Sequence, residues 1–270
     1  MRQYLAALKF SFKEQLSNRF AFGLLLVFVP LWYWVLGMIT PSDAVAFRFR
    51  PTGAMLQANG HNLVLITAGL NVLSMILGFM FFHSAHRSLD FDRRLTRAGL
   101  DRFGFMMAKA SALAVTTGLI ALYTTAVLIG FWHHPHSLVE LWLGFWMLSL
   151  IYASIGLLLG LLVNNELVGF FIVIMVSMMD TFLQNPIGNP AANKAFLSYL
   201  PSYSSMQLSV AGGFTDRFAG SQLLLGLAWF AGILLVALSV FYLRTQRKSS
   251  VLQTPEGATH RPSAPAANQA

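Results

Sequence analysis

The chain has 270 residues, of which 56% are hydrophobic and only 10% are charged, and its net charge is +8. Soluble domains carry roughly 25% charged residues, so a soluble globular fold is excluded. The absence of cysteine also excludes a disulfide scaffold and a thiol nucleophile. The sequence therefore predicts a membrane protein.

An amphipathic helix is predicted at the N-terminus, before the first apolar run. Leu5, Leu8, Phe12 and Leu16 recur at helical spacing, and basic residues occupy the other faces. Such a helix would lie along the cytoplasmic membrane interface. The alternative is a charged leader with no set position.

Six apolar runs of about 20 residues follow, which is the length that a membrane-spanning helix needs. Strands are excluded because a membrane strand needs only about 9–11 alternating residues. We expect an all-α polytopic membrane domain over residues 1–248 and a disordered cytoplasmic tail over 249–270. The predicted spans are residues 20–39, 62–82, 107–131, 141–163, 167–183 and 221–243.

The lysine and arginine residues are distributed unevenly among the predicted loops. Fourteen of the eighteen lie in the N-terminal segment, in the loop between spans two and three, and in the tail. These three segments share one side if the six spans alternate, so the positive-inside rule places both termini in the cytoplasm. The positive charge then reflects topology, and no nucleic-acid partner is expected.

Small residues predict close helix packing in span four, where Gly156 and Gly160 form a G-x-x-x-G pattern. The packing neighbour is either a second subunit or another helix of the same bundle. The turn Asn164-Asn165-Glu166 then joins spans four and five in a tight hairpin with a short cytoplasmic tip.

The connection between spans five and six, residues 184–220, is semi-apolar and is interrupted by Pro201. It is too short and too broken to span, so we predict that it forms an outer re-entrant segment. Asp180 lies near the outer end of span five. It either orders this segment, lines a transport path, or marks the point where the span leaves the membrane.

Catalytic and nucleotide-binding motifs are absent from the sequence: it contains no P-loop, no H-E-x-x-H and no G-x-S-x-G. His133, His134 and His136 lie close together between spans three and four. They either bind a metal or belong to a polar loop, and no carboxylate or cysteine completes a clear site. We therefore expect a non-catalytic chain that binds no cofactor of its own.

The loop between spans two and three mixes acidic, basic and apolar residues. We expect it to form a short helix that buries Leu95, Leu100 and Phe103 and presents a surface to a soluble partner. The alternative is a solvated helix that continues span two.

In their order and spacing, these features resemble the permease subunit of ATP-binding-cassette (ABC) exporters of the type 2 class, over about residues 3–243. The resemblance rests on the amphipathic helix before Asn18-Arg19-Phe20, on residues 91–102 with Ala108-Lys109, on residues 156–163 before the polar turn, and on residues 199–203.

The resemblance implies a location in the cytoplasmic (inner) membrane of a bacterium. The chain would form half of an export pathway for a hydrophobic or amphipathic substrate, such as a drug, a lipid or a peptide. A separate ABC-type ATPase subunit would hold ATP and Mg, and a second permease copy or a sister permease would supply the other half. An ion- or proton-coupled carrier and an intramembrane enzyme are the alternatives.

The resemblance also assigns roles to individual residues. The ATPase-coupling loop would comprise Asp92, Arg93, Arg94, Leu95, Arg97, Leu100, Asp101 and Arg102. Asn164, Asn165 and Glu166 would form a second cytoplasmic contact, and Asp180, Pro201 and Tyr203 would belong to the pathway or to an outer gate.

Overall fold

A computed structural model describes residues 2–16, 19–97, 99 and 101–245. The predicted tail over 249–270 and Leu100 lie outside the described residues, as do the side chains of Arg97 and Arg102. In chain order, the described α-helices are α1 Arg2–Leu16, α2 Arg19–Ile39, α3 Gly60–Arg97, α4 Arg102–Phe131, α5 Leu138–Leu162, α6 Glu166–Leu183, α7 Pro201–Phe214 and α8 Gly220–Thr245.

The helical fold predicted from the sequence is confirmed. Within the described residues, the six helices α2 to α6 and α8 are long and apolar enough to cross a membrane, as expected of a multi-pass membrane protein. Five of them begin and end within five residues of the predicted spans. The exception is α3, which continues past residue 82 to Arg97.

The length of α3 decides between the two predictions made for the loop after span two. The helix has 38 residues, or about 57 Å at 1.5 Å per residue, so it projects beyond a hydrocarbon layer of roughly 30 Å. The segment therefore continues span two, and the prediction of a separate short helix is wrong. Phe103, which that helix was expected to bury, is 72% exposed.

Side-chain caps define where three of the helices begin. The carboxylate of Asp101 accepts hydrogen bonds from the backbone N–H groups of Phe103 and Gly104, at 3.2 and 2.9 Å, and so caps α4. Ser137 caps α5 and Asn165 caps α6 in the same way. These short polar side chains satisfy N–H groups that have no partner within the helix.

The helices α3 and α5 form the centre of the bundle. In the membrane-spanning part of α3, 83% of the residues are buried, and in that of α5 the share is 67%. The share of buried residues is only 17% in α2, 28% in α6 and 11% in α8. The outer helices therefore present apolar side chains to their surroundings, as helices in contact with lipid do.

A two-stranded antiparallel sheet between α2 and α3 was not predicted. Strand β1, Ala44–Phe49, pairs with β2, Ala54–Asn59, and the turn between them places Gly53 at φ +70°. Phe47 and Phe49 are buried in the core of the bundle. We call the end of the bundle that carries this sheet the hairpin end, and the end that carries α1 and the α3–α4 connection the basic end.

The N-terminal segment forms the predicted helix, and its small and polar residues pack against the bundle. Ala7, Ser11 and Gln15 are buried, whereas Leu5 is 56% exposed. The Thr116 hydroxyl of α4 donates a hydrogen bond to Oε1 of Gln15 at 2.5 Å. The small and polar side of α1 therefore faces the protein, and part of its apolar side faces outward.

Candidate functional site

The basic end presents the charged residues that the sequence singled out. Arg94 is exposed, as is Phe91 on the preceding turn of α3. Arg93 is half-buried and donates hydrogen bonds to the Asp90 carboxylate at 2.9 Å and to the Arg244 carbonyl at 3.3 Å. Gly99, at φ +97°, lies in the connection that leads to α4. The charged surface is thus held on the projecting end of α3.

Asp92 does not belong to this exposed surface. It is only 1% exposed, and its carboxylate forms an ion pair with Lys109 of α4. The Ser88 hydroxyl donates to the same carboxylate at 3.1 Å and accepts a hydrogen bond from Lys109. The Lys109 ammonium also lies 5.1 Å from the ring centre of Phe105. In this structure Asp92 therefore joins α3 to α4, and a partner could be contacted only by its neighbours.

A small cavity borders this ion pair, between α1, α3, α4, α5 and α8. The space open to the centre of a water molecule is about 40 Å³, whereas one water needs at least 10–15 Å³. Oδ1 of Asp92 and the Ser11 hydroxyl, both residues of the cavity wall, have no hydrogen-bond partner among the described residues. The cavity is large enough for water to solvate these atoms.

The turn between α5 and α6 lies at the same end of the bundle. Asn165 uses its side chain to cap α6, while Asn164 is exposed. The Glu166 carboxylate lies 2.5 Å from Nδ1 of His83 on α3. All three residues of the predicted second contact are exposed, and two of them, Asn165 and Glu166, also anchor the turn.

Gly156 and Gly160 pack against α3 of the same chain. A Cβ atom added at Gly156 would meet the backbone of Gly78, and one added at Gly160 would meet the carbonyl of Phe82 and lie 3.1 Å from the backbone N of His86. Of the two neighbours that the sequence left open for this pattern, the structure shows the one inside the bundle.

Asp180 joins α6 to the start of α7. It is 4% exposed. Its Oδ2 accepts hydrogen bonds from the Tyr152 hydroxyl at 2.6 Å and from the backbone N–H of Ser202 at 3.0 Å, and its Oδ1 accepts from the Ser202 hydroxyl at 2.6 Å. Leu200, the N-cap residue of α7, has no side chain that can accept, and Pro201 follows as the first helical residue. The carboxylate of Asp180 therefore caps α7 from a neighbouring helix, where the positive end of the helix dipole favours it.

Contacts at its two ends show how α7 is oriented relative to α5. At its first turn, Asp180 accepts hydrogen bonds from both Ser202 of α7 and Tyr152 of α5. Near its last turn, the carbonyl of Gly212 accepts a hydrogen bond from the backbone N–H of Ser137 at 2.7 Å. Tyr152 is 15 residues along α5 from Ser137, which corresponds to about 22 Å. The helix α7 therefore runs antiparallel to α5, from well inside the bundle to the hairpin end.

Two polar residues that the sequence analysis did not single out hold the sheet in place. Gln207 of α7 bonds to the backbone of Arg48 and Arg50, and Asn193 bonds to that of Ala46 and Arg48. The alternating runs on either side of Pro51-Thr52-Gly53 are the signal that could have predicted the sheet. No comparable signal predicts the residues that bind its edge.

In the part of the chain that the structure describes, the histidines between α4 and α5 do not form a cluster with other metal ligands. His133 and His134 are exposed, and Nδ1 of His136 lies 3.2 Å from the carbonyl of Gly213. Within the described ranges, no group of three or more His, Asp or Glu side chains is arranged to hold a metal ion.

Comparison with protein-family models found no matching family, and comparison with curated proteins found no match.

Proposed function

We propose that the chain is the membrane-spanning subunit of an ABC transporter and forms half of an export pathway. The substrate would be hydrophobic or amphipathic, and a separate ATPase subunit would bind ATP and Mg and hydrolyse the nucleotide. Two observations support this proposal: the resemblance of the sequence to ABC exporter permeases, and the extension of α3 at the basic end beyond the length of a membrane span. A second permease copy or a sister permease would complete the pathway.

The observation that carries the proposal is the projection of α3 beyond the length of a membrane span. A helix that only crosses a bilayer has no need of roughly 15 further residues with charged side chains. Here that extension is joined to α4 by the buried Asp92–Lys109 ion pair and to α8 by the hydrogen bond from Arg93 to the carbonyl of Arg244. A force applied to the extension would therefore reach three helices of the bundle.

The proposed ATPase contact consists of the exposed side chains around Arg94, together with the tip at Asn164. Asp92 and Asp101 act there as positioning residues, because the first is paired internally and the second caps α4. We assign the basic end to the cytoplasm on the distribution of lysine and arginine. On this assignment α1 lies along the inner interface, and α7 is the returning half of a re-entrant segment from the outer side.

Charge reversal at the basic end tests the proposed contact. Replacing Arg94 with Glu, or Arg93, Arg94 and Arg97 together with Ala, should weaken association with the ATPase and lower transport while membrane insertion stays intact. Arg94→Glu is the sharper variant, because Arg93 has contacts within the chain. The matched control is Arg217→Glu, an exposed arginine on the connection between α7 and α8. Normal ATPase copurification and transport in Arg94→Glu and in the triple variant would contradict the assignment.

The alternative of an ion- or proton-coupled carrier centres on Asp180. Both oxygens of that carboxylate already accept hydrogen bonds from protein donors, which favours a structural role for it. Blocking ATP hydrolysis in the partner separates the two functions: transport should stop in an ABC transporter and continue in a carrier.

A further inference from the structure

The strand β1 is fixed along the edge that faces away from β2. The Asn193 side chain accepts from the N–H of Arg48 at 2.8 Å and donates to the carbonyl of Ala46 at 3.2 Å. The Gln207 side chain accepts from the N–H of Arg50 at 3.1 Å and donates to the carbonyl of Arg48 at 3.0 Å. Two side-chain amides thus replace a neighbouring strand, and they hold the backbone at both arginines in place.

The alternation of the strand separates its arginine from its aromatic residues. Successive side chains of a strand point to opposite faces, and Phe47 and Phe49 are buried in the core. Arg48 therefore lies on the other face, and Arg50 follows directly after the strand, in the turn that leads to β2. Neither arginine forms an ion pair with an acidic side chain among the described residues. Two positive charges are thus placed close together without a neutralising partner.

Tyr203 of α7 is the third member of this group. It lies four residues before Gln207 and therefore on the same face of the helix. It is only 4% exposed. Burial raises the pKa of its phenol, and the positive charges of Arg50 and Arg48 act against that rise. Of the two arginines, Arg50 makes a side-chain contact with the phenol.

The Arg50 guanidinium lies beside the Tyr203 phenol, yet neither the buried hydroxyl nor the buried Nη2 of Arg50 has a partner at hydrogen-bond geometry among the described residues. A buried polar group without a hydrogen bond costs about 1–3 kcal/mol. Both are donors, so an acceptor oxygen placed between them would satisfy both. Guanidinium groups bind carboxylate and phosphate oxygens with paired, charge-assisted hydrogen bonds.

We propose that Arg48, Arg50 and Tyr203 form a binding site for an anionic oxygen group, a phosphate or a carboxylate, at the face between β1 and α7. The group belongs either to a phospholipid headgroup or to a soluble anion. Arg50 and Tyr203 hold it from within, and Arg48 adds charge at the surface. The site does not depend on the ABC assignment, because it is built only from local contacts.

The test uses the purified full chain and two probes. Inorganic phosphate is titrated against the protein in an uncharged detergent at constant ionic strength, and binding is followed by thermal stability. The protein is also placed in nanodiscs of phosphatidylcholine with or without phosphatidylglycerol, and the lipid retained after extraction is measured by native mass spectrometry. The variants are Arg50→Gln and Tyr203→Phe, and the matched control is Arg217→Gln, which removes an exposed arginine outside the group.

We expect wild type and Arg217→Gln to bind at least one probe, and both site variants to bind it about tenfold more weakly or worse. Loss of phosphate binding in the variants identifies a soluble anion as the ligand, and loss of phosphatidylglycerol alone identifies a lipid headgroup. If Arg50→Gln does not fold, Arg48→Gln, at an exposed position, replaces it. Binding of neither probe by wild type, or equal binding by wild type and the site variants, overturns the proposal.

Discussion

Replacing Gly156 with Ala tests the packing at the centre of the bundle. The added methyl group would meet the backbone of Gly78 on α3, and backbone moves only if the two helices separate. Overpacking of this kind costs about 1–3 kcal/mol. The matched control is Gly232→Ala in α8, where an added Cβ has no neighbour within 4 Å among the described residues.

The gain in helix propensity from Gly to Ala, about 0.8–1 kcal/mol, is common to both variants and cancels in the comparison. The free energy of unfolding should therefore be lower for Gly156→Ala by about 1–3 kcal/mol. For a domain of this size each kcal/mol shifts the Tm by roughly 2–4 °C, so the two variants should differ by about 2–12 °C. Tryptophan fluorescence during heating in detergent measures both values.

Equal Tm values for the two variants would refute the packing between α3 and α5. A Gly156→Ala protein that keeps its Tm but loses self-association would instead place this face between subunits. Size-exclusion chromatography of the same samples distinguishes these two results.

Three further variants test other contacts. Lys109→Met leaves the Asp92 carboxylate buried and unpaired and should destabilise the protein by about 3–5 kcal/mol, whereas adding Asp92→Leu should restore much of the Tm. Asp180→Ala removes the cap of α7, so limited proteolysis should cut residues 184–200 faster than in wild type. The control Asp216→Ala, at an exposed position, should be cut at the wild-type rate. Equal cleavage rates for wild type, Asp180→Ala and Asp216→Ala would show that the cap is not needed. Asn165→Ala should cost about 1 kcal/mol through loss of the α6 cap, and its exposed neighbour Asn164→Ala should leave thermal unfolding unchanged.

The spans could be predicted from the sequence because each is a long apolar run, and the bilayer fixes the length of such a run. The continuation of α3 could not be predicted by that rule. Charges around Asp92 and Arg93 end an apolar run, yet they do not end a helix, since their side chains find partners on α4 and α8. Hydropathy locates the membrane boundary, whereas capping and tertiary contacts locate the end of the helix.

The polar contacts of α7 were beyond sequence reasoning for a different reason. Gln207 and Arg48 are 159 residues apart in the chain, and an amide can bond to the backbone of any strand edge. Asp180 was recognisable as a lone acid in an apolar run, but its partner Tyr152 was one aromatic residue among many. Only the fold brings these side chains together.

The most direct test of the proposed function is purification of the tagged full-length chain from its native host in a mild detergent, with identification of the bound proteins by mass spectrometry. The proposal predicts a P-loop ATPase in equal amount, whose release by Arg94→Glu accompanies loss of transport. A chain that purifies without an ATPase and still moves a solute in the absence of ATP would contradict it.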